Sequence, residues 1–441
     1  MNWGFERPVW SFSRGHDDTG NNARSSVTMV EDCLRRIDER ESEIRAWVIL
    51  DREGALREAT RQDDERRRGL SRGALHGIPV GVKDLFDVAG WPTRCGLSDE
   101  LVERYPAFGE PKEHDAPLVA DWRAAGAIIL GKTVTTPLAW VDPPPTTNPW
   151  RSDRTPGGSS SGSAAAVAAG MCLAALGSQT GGSITRPSAY CGVVGWKPSY
   201  GQLSLQGVFP LAHPLDHPGV IAGTVEDCLI ASSALGGATL SGIEDLPAPR
   251  AIACLDDPLM EETAIEYQEA VAEFVRRAAR RGITCERKTL DRPIRDYFRE
   301  FSEILATCAS THLEGAFGSD LSALPSRIQQ LAMEGQKLRT SERRATVGPI
   351  ADRGLDRLRS VAGRELIEPG TVVVCPPAPA LPPDRSSTGN PIWNAVWSLL
   401  GLPTLTFPMG WTTDGLPVGV QVVARQGEDA LLFGAGKWLG G

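Results

Sequence analysis

The sequence has no surplus of positive charge, no long apolar run and no closely spaced cysteine pair, and each absence removes a class of function. Lys and Arg number 46 against 55 Asp and Glu, a formal net charge of −9. No basic surface is therefore on offer for the phosphate electrostatics that dominate nucleic-acid binding, and nucleic acid is not expected as a partner. No stretch approaches the roughly 20 consecutive apolar residues of a membrane-spanning helix, so no membrane partner is expected either. The opening "MNWGFERPVWSFSRGHDD" lacks the apolar core of a signal peptide, from which a cytoplasmic location is expected. The 9 cysteines are odd in number and scattered, with no C-x-x-C, which argues against a disulfide framework or a zinc ribbon. They read as reduced, mostly buried fillers.

What remains is an ordinary globular composition, 41% hydrophobic and 23% charged, rich in turns through 47 Gly and 33 Pro over 441 residues. Ser25 to Arg72 reads as an outer helix pair, with Val30, Leu34, Ile37, Ile44 and Val48 spaced for one apolar face. Alternating strand and helix signals follow: "GIPVGVKD", a helix near Ala116 to Ala125, "AIILGK", a serine loop with its Ala-rich helix, "CLAALGSQT" and "GVVGWKPSYG". Later strands are expected at "RAIACLD", "TVVVCP", "TLTFP" and "VGVQVVA". Between them, Glu261 to Arg281 and Pro293 to Arg364 read as charged and largely helical, with "RTSERRAT" the most solvated piece. With neither internal repeats nor a long linker, the expectation is one α/β domain over residues 1–441.

Two motif matches have to be weighed. "GAIILGKT", Gly126 to Thr133, fits the P-loop pattern letter for letter, but a phosphate cradle needs a flexible loop and Ala127 to Leu130 is an apolar strand-like run. It reads as an accident. "GSSSG", Gly158 to Gly162, fits the nucleophile elbow of α/β-hydrolases and would make Ser160 the nucleophile. The elbow needs an apolar strand before it, whereas "TNPWRSDRTP" is polar and broken by prolines. The structural alternative is that Ser161 or Ser163 caps the Ala-rich helix.

A third reading takes in more of the chain. In "GSQTGGSITRPS" the adjacent glycines let the backbone amides of Thr180, Gly181, Gly182 and Ser183 converge on one point, as an oxyanion hole requires. Upstream, Lys83 ends the apolar strand of "GIPVGVKD". A lysine there either snorkels to the surface or, if buried, becomes a neutral amine able to accept a proton.

Lys83, "GGSSSGSAAAVAAG" and "GSQTGGSITRPSAYCGVVGWKPSYG" together resemble the amidase signature family, whose members hydrolyse amides with a serine, a second serine on a cis peptide and a lysine. The resemblance is close over roughly Leu75 to Asp227, including "PLDHPG", and returns at "WSLLGLPTLTFPMGWTTDGLPVGVQVVA", with a variable helical region at about 255–365. It implies an α/β fold with a central mixed, twisted β-sheet covered on both faces by helices. It places the nucleophile on Ser183, the cis-serine on Ser159 and the lysine on Lys83. Ser160 to Ser163 are then expected to orient the loop and cap the helix.

No metal or organic cofactor is implied, and no H-E-x-x-H or similar ligand cluster occurs. Where many members of the family read T-D-T-G-G-S-I-R, this chain has "SQTGGSIT", so an acid and an arginine are replaced together by Gln179 and Thr185. A neutral pair is expected there, with Arg186 either taking over part of that network or facing solvent. Trp140, Phe209, Trp393 and Trp397 are candidates for an acyl or aryl pocket, or equally for the core. An apolar pocket favours hydrophobic or aryl amides, and members of the family also cleave carbamates. The expected partner is accordingly a small-molecule amide or carbamate, acted on by a monomer or homodimer. The family's other branch, the glutaminase-type component of aminoacyl-tRNA amidotransferases, supplies ammonia to partner subunits and stands as the alternative.

Overall fold

Short runs of Val, Ile, Ala and Gly bounded by Gly, Pro and charged residues form the strands, and most are buried along their whole length, as strands covered on both faces must be. The computed structural model describes residues 10–13, 24–237, 240, 245–340 and 355–440. Its strands are β1 (Trp47–Leu50), β2 (Pro79–Lys83), β3 (Ile128–Thr133), β4 (Ala174–Gln179), β5 (Val194–Lys197), β6 (His217–Ala222), β7 (Ala251–Leu255), β8 (Thr284–Lys288), β9 (Thr371–Cys375), β10 (Thr404–Trp411) and β11 (Pro417–Val423). They form one 11-stranded sheet in the order β1-β3-β2-β4-β6-β5-β10-β11-β9-β7-β8. The sheet is mixed. β2 runs parallel to both β3 and β4, and β7 parallel to β8 and β9, whereas β4, β6, β5, β10, β11 and β9 follow one another antiparallel.

Burial falls off toward the edges. β2, β3, β4, β6, β9 and β11 are buried at every position, while the edge strands β1 and β8 are partly exposed. The sequence "TCERK" of β8 sets Glu286, Arg287 and Lys288 along the open edge, where charge discourages pairing with another chain. The α/β architecture with a mixed central sheet is thus the one expected. No helix of the described residues is long and apolar enough to cross a membrane.

Several local expectations are corrected. The segment read as a helix pair is two helices, Ser26–Ile44 and Arg52–Arg67, separated by β1. Val30, Leu34, Ile37 and Ile44 do share the buried face, but Val48 lies on β1 and is exposed. The β6 strand was hidden by its opening "HPG" and the edge strand β8 by its charges. The region from Pro293 is helical as expected, at Ile294–Phe317, Ser326–Thr340 and Leu355–Glu365, and "RTSERRAT" beyond Thr340 lies outside the described residues.

The P-loop look-alike is β3 itself. Its Lys132 is fully buried and reaches Asp84 at 2.9 Å, also donating to the Pro92 carbonyl and the Thr93 hydroxyl, each at 3.1 Å. Burial pushes the Asp84 carboxyl up and the Lys132 charge beside it opposes that push. Lys132→Ala is expected to cost about 3 to 5 kcal/mol, since it strands a buried carboxylate. Chemical denaturation checks this, and added nucleotide should give no stabilisation to either protein.

Candidate active site

β2 is an apolar strand inside the sheet, between β3 and β4, and ends on Lys83, which has no solvent exposure. Its Nζ is held by hydroxyls rather than carboxylates, at 2.8 Å from Ser159 Oγ and 2.9 Å from Ser178 Oγ, with the Ser178 carbonyl at 3.3 Å. Burial pushes the Lys83 ammonium well below the ordinary lysine range, opposed by the negative charge of Asp216. The surface-snorkelling reading is therefore excluded. Ser159 itself sits directly after a cis peptide bond, Gly158–Ser159.

The serines that follow do not cap the helix. The Ser161–Ala168 helix is buried at all 8 positions and has no side-chain cap, because each hydroxyl is used elsewhere. Ser161 Oγ donates to the Gly157 carbonyl at 2.8 Å and Ser163 Oγ to the Leu176 carbonyl at 3.0 Å, while Ser160 Oγ exchanges bonds with the Ser178 backbone. Ser160 and Ser163 fasten the loop to β4 and Ser161 closes the loop on itself, demands that override the local capping preference. Gly162 shows how close that packing is, since a Cβ there would come within 2.3 Å of the Ala46 carbonyl oxygen.

Where β4 ends, Gln179 organises the next turn. Its Oε1 accepts from the Ile184 amide at 2.9 Å, the Thr185 amide at 3.0 Å and the Thr185 hydroxyl at 3.1 Å. Its Nε2 donates to Ser398 Oγ at 3.3 Å, and Ser398 Oγ donates to the Gly181 carbonyl at 3.2 Å. Planarity of the trans peptide then aims the Gly182 N–H away from Ser398. Among the described residues, the N–H groups of Gly181, Gly182 and Ser183 donate to no protein acceptor. A side chain on Gly182 would meet Asn394 Oδ1 at 2.6 Å, and Asn394 is itself fixed by Thr185, Pro377 and Gln421. The expected neutral contact between Gln179 and Thr185 is thus present. Arg186 does not face solvent: it is buried and donates to the Thr388 and Gly158 carbonyls, both at 2.8 Å.

Ser159, Thr180, Gly181, Gly182 and Ser183 line one cavity of about 350 Å³. The hydroxyls of Ser159 and Ser183 share it without a hydrogen bond between them, although the Ser160 amide donates to the Ser183 carbonyl at 3.2 Å. Of the four aromatic candidates only Trp140 belongs to the wall. Trp393 and Trp397 are fully buried, on a helix, Ile392–Leu399, that is buried on every side, and Trp393 spends its indole N–H on Thr263 Oγ1 at 3.0 Å. Phe209 lies on a different cavity, its ring tilted against that of Phe108 with centroids 5.7 Å apart. The apolar wall comes instead from Phe298, Phe301 and Leu305 of the long Ile294–Phe317 helix, with Leu211, Leu331 and Pro391. Their spacing on that helix is a readable apolar face, but nothing in the sequence says that the face borders a serine site. Ser178, the second hydroxyl on Lys83, was also missed; a serine inside an apolar strand is its only signal. Among the described residues no group of three or more His, Cys, Asp or Glu is placed to hold a metal ion.

The bonds around Gln179 generate a test. Gln179→Asp alone introduces an unpaired buried charge and should cost about 3 kcal/mol, whereas Gln179→Asp combined with Thr185→Arg should recover a large part of that loss. A double-mutant cycle on melting temperature measures the coupling, and additive damage would mean the two positions act independently.

The geometry has close counterparts among known proteins. The amidase family model matches residues 28–367. A glutamyl-tRNA(Gln) amidotransferase component from Syntrophus aciditrophicus (strain SB) is 32% identical over 93% of this chain and 92% of that protein. Among solved structures, a crystal structure of an amidase superposes with a TM-score of 0.80 at 30% identity, covering 94% of this chain and 96% of the other. The native peptide amidase of Stenotrophomonas maltophilia does so with a TM-score of 0.73 at 26% identity, over 95% and 94%. A sheet of this order, a buried lysine bonded to serine hydroxyls and a family match over most of the sequence lead to one assignment: the chain belongs to the amidase family and is a hydrolase of carbon–nitrogen bonds.

Proposed function

We propose that this chain cleaves small hydrophobic or aryl amides, and carbamates, through an acyl-enzyme on Ser183, with Ser159 as proton relay and Lys83 as base. The observation that carries the substrate class is the cavity: its serines lie beneath a wall of Trp140, Phe298, Phe301, Leu305 and Leu331. Ser302 and Glu334 also line the cavity, but the apolar side chains outnumber them, and an aryl or alkyl chain packed there loses only water.

In the proposed reaction neutral Lys83 takes the Ser159 hydroxyl proton while Ser159 takes that of Ser183, and Ser183 Oγ bonds to the substrate carbonyl carbon. The carbonyl oxygen gains negative charge and is met by the unclaimed amides of Gly181, Gly182 and Ser183, with Thr180 shaping the start of the loop. The proton returns through Ser159 to the nitrogen, the C–N bond breaks, and water then hydrolyses the ester on Ser183. The relay needs the Ser159 and Ser183 hydroxyls to meet, and catalytic hydrogen bonds commonly tighten only around bound substrate. A carbamate presents the same carbonyl and the same leaving nitrogen, so the same groups serve it. The reading requires only a small-molecule substrate and a monomer or homodimer.

A second reading has its own observation, the likeness across nearly the full length to components of glutamyl-tRNA(Gln) amidotransferases. On that reading the site releases ammonia from glutamine for partner subunits. The apolar wall favours the first.

An activity screen over anilides, aliphatic amides, carbamates, esters and glutamine, with Ser183→Ala as the blank, separates the two. Turnover of hydrophobic amides or carbamates without glutaminase activity is expected; glutaminase activity with co-purification of a second protein would favour the other reading. The rate should rise with pH through a limb lying below the ordinary lysine range, because only the amine form of Lys83 accepts a proton and burial lowers its pKa. Lys83→Ala should slow amides by about a hundredfold or more beyond its effect on an activated aryl ester, whose aryloxide leaves without a proton. Lys83→Met controls for lost volume. Equal losses on amide and ester would remove Lys83 from the proton path to the leaving group.

A further inference from the structure

The "PLDHPG" segment is part of the resemblance, yet none of the steps above uses it. Its Asp216 stands immediately before β6, and the β4–β6 register pairs Gln179 with His217 and Ser178 with Pro218. Asp216 therefore lies across from Thr180, at the point where β4 gives way to the oxyanion loop. Its Oδ1 accepts the Thr180 hydroxyl at 2.5 Å, and its Oδ2 accepts the Leu211 and Ala212 amides, each at 3.0 Å. Thr180 and Leu211 both line the serine cavity. One buried carboxylate thus ties the loop on one side of the cavity to the wall on the other.

The charges around it are few. Asp84, next to Lys83 in the chain, is committed to Lys132. On the Lys83 side the acidic groups facing the amine are Asp216 and Cys95, whose thiol burial keeps in its neutral form. From the Ile294–Phe317 helix His312 faces Asp216, its ring nitrogen 3.2 Å from the Leu211 carbonyl. Burial pushes the Asp216 carboxyl up, while the Thr180 hydroxyl and the two amides, donors all, oppose that by favouring the ionised form.

We propose that Asp216 is a positioning residue for the hydrolytic reaction, its carboxylate fixing the oxyanion loop through Thr180 and the cavity wall through Leu211 while providing the buried counter-charge for Lys83. The proposal rests on the reading of Lys83 as the base. When Ser183 attacks, the relayed proton turns Lys83 into an ammonium that is fully buried among protein groups. The anion of Asp216 stabilises that ammonium. It also makes the resting amine a stronger base than burial alone would leave it.

The test is the pH dependence of kcat/KM on an activated aryl ester and on an anilide. Asp216→Asn can keep the geometry, with its carbonyl oxygen on the two amides and its NH2 toward Thr180, so that chiefly the charge is removed. Without the anion Lys83 gives up its proton more readily, so the acidic limb should move to lower pH by about half a unit or more while the plateau falls. A merely structural role would lower the plateau and leave the limb in place, and a folded Asp216→Asn whose limb coincides with the parent's overturns the proposal. Asp216→Ser is made in parallel in case the amide variant does not fold, and is read the same way. Thr180→Val keeps the charge and removes the shortest bond; kcat on the anilide should drop at least several-fold with the limb unmoved, and an unchanged kcat overturns the positioning role. The ester profile of Lys83→Met separates the two levels of inference. Disappearance of the limb there assigns it to Lys83, so that the Asp216 variants judge the proposal alone; a limb that persists removes the base reading and the proposal with it.

Discussion

A lysine taken out of water must either find an anion or give up its proton, and this protein places both solutions on adjacent strands. β2 and β3 run parallel, with Lys83 paired in register to Thr133 and Val82 to Lys132. Both lysines are fully buried. Lys132 meets a carboxylate at 2.9 Å and remains a structural ion pair. Lys83 meets two serine hydroxyls and a carbonyl. Hydroxyls can solvate an ammonium only in part, so desolvation dominates at Lys83 and disfavours its charged form. The rest of the site follows from keeping those hydroxyls in place: the serine loop bonded to β4, the all-small helix packed beneath it, and the Gln179 hub that fixes the turn after β4.

How much of this the sequence discloses depends on whether a feature is local. Strands such as "PVGVK", "IILGKT" and "TVVVC" announce themselves by continuous apolar runs, and the site's backbone by its paired glycines and clustered hydroxyls. The resemblance carried by Lys83, Ser159 and Ser183 pointed to the family, and the mixed sheet with its family match bears that out. Capping of the Ala-rich helix failed as an expectation because the two candidate serines find other acceptors, Ser163 on the neighbouring β4 and Ser161 at Gly157 in the folded-back loop. β1 was absorbed into a helical reading because four residues with a Trp and three aliphatics fit either periodicity.

The pocket was the least legible part, and for a clear reason. Aromatic residues announce hydrophobic volume without saying what fills it. Trp393 and Trp397 lie near the serine loop's supports, but their helix is enclosed on all sides and the rings became core. Phe298 and Phe301 sit in a charged helical stretch over a hundred positions from the serines, and only the tertiary arrangement brings their ring faces to the cavity.

That separation between wall and chemistry has an evolutionary consequence. Lys83, Ser159 and Ser183 are bedded in a strand and in loops locked by backbone bonds, whereas Phe298, Phe301, Leu305 and Leu331 hang from two helices that supply no strand to the sheet. A substitution on those helices reshapes the space a substrate must fill and leaves the hydrogen bonds among Lys83, Ser159 and Ser178 untouched. Selection can therefore explore new molecules to cleave by drifting one wall, generation by generation, without ever passing through a protein that has lost the means to cleave.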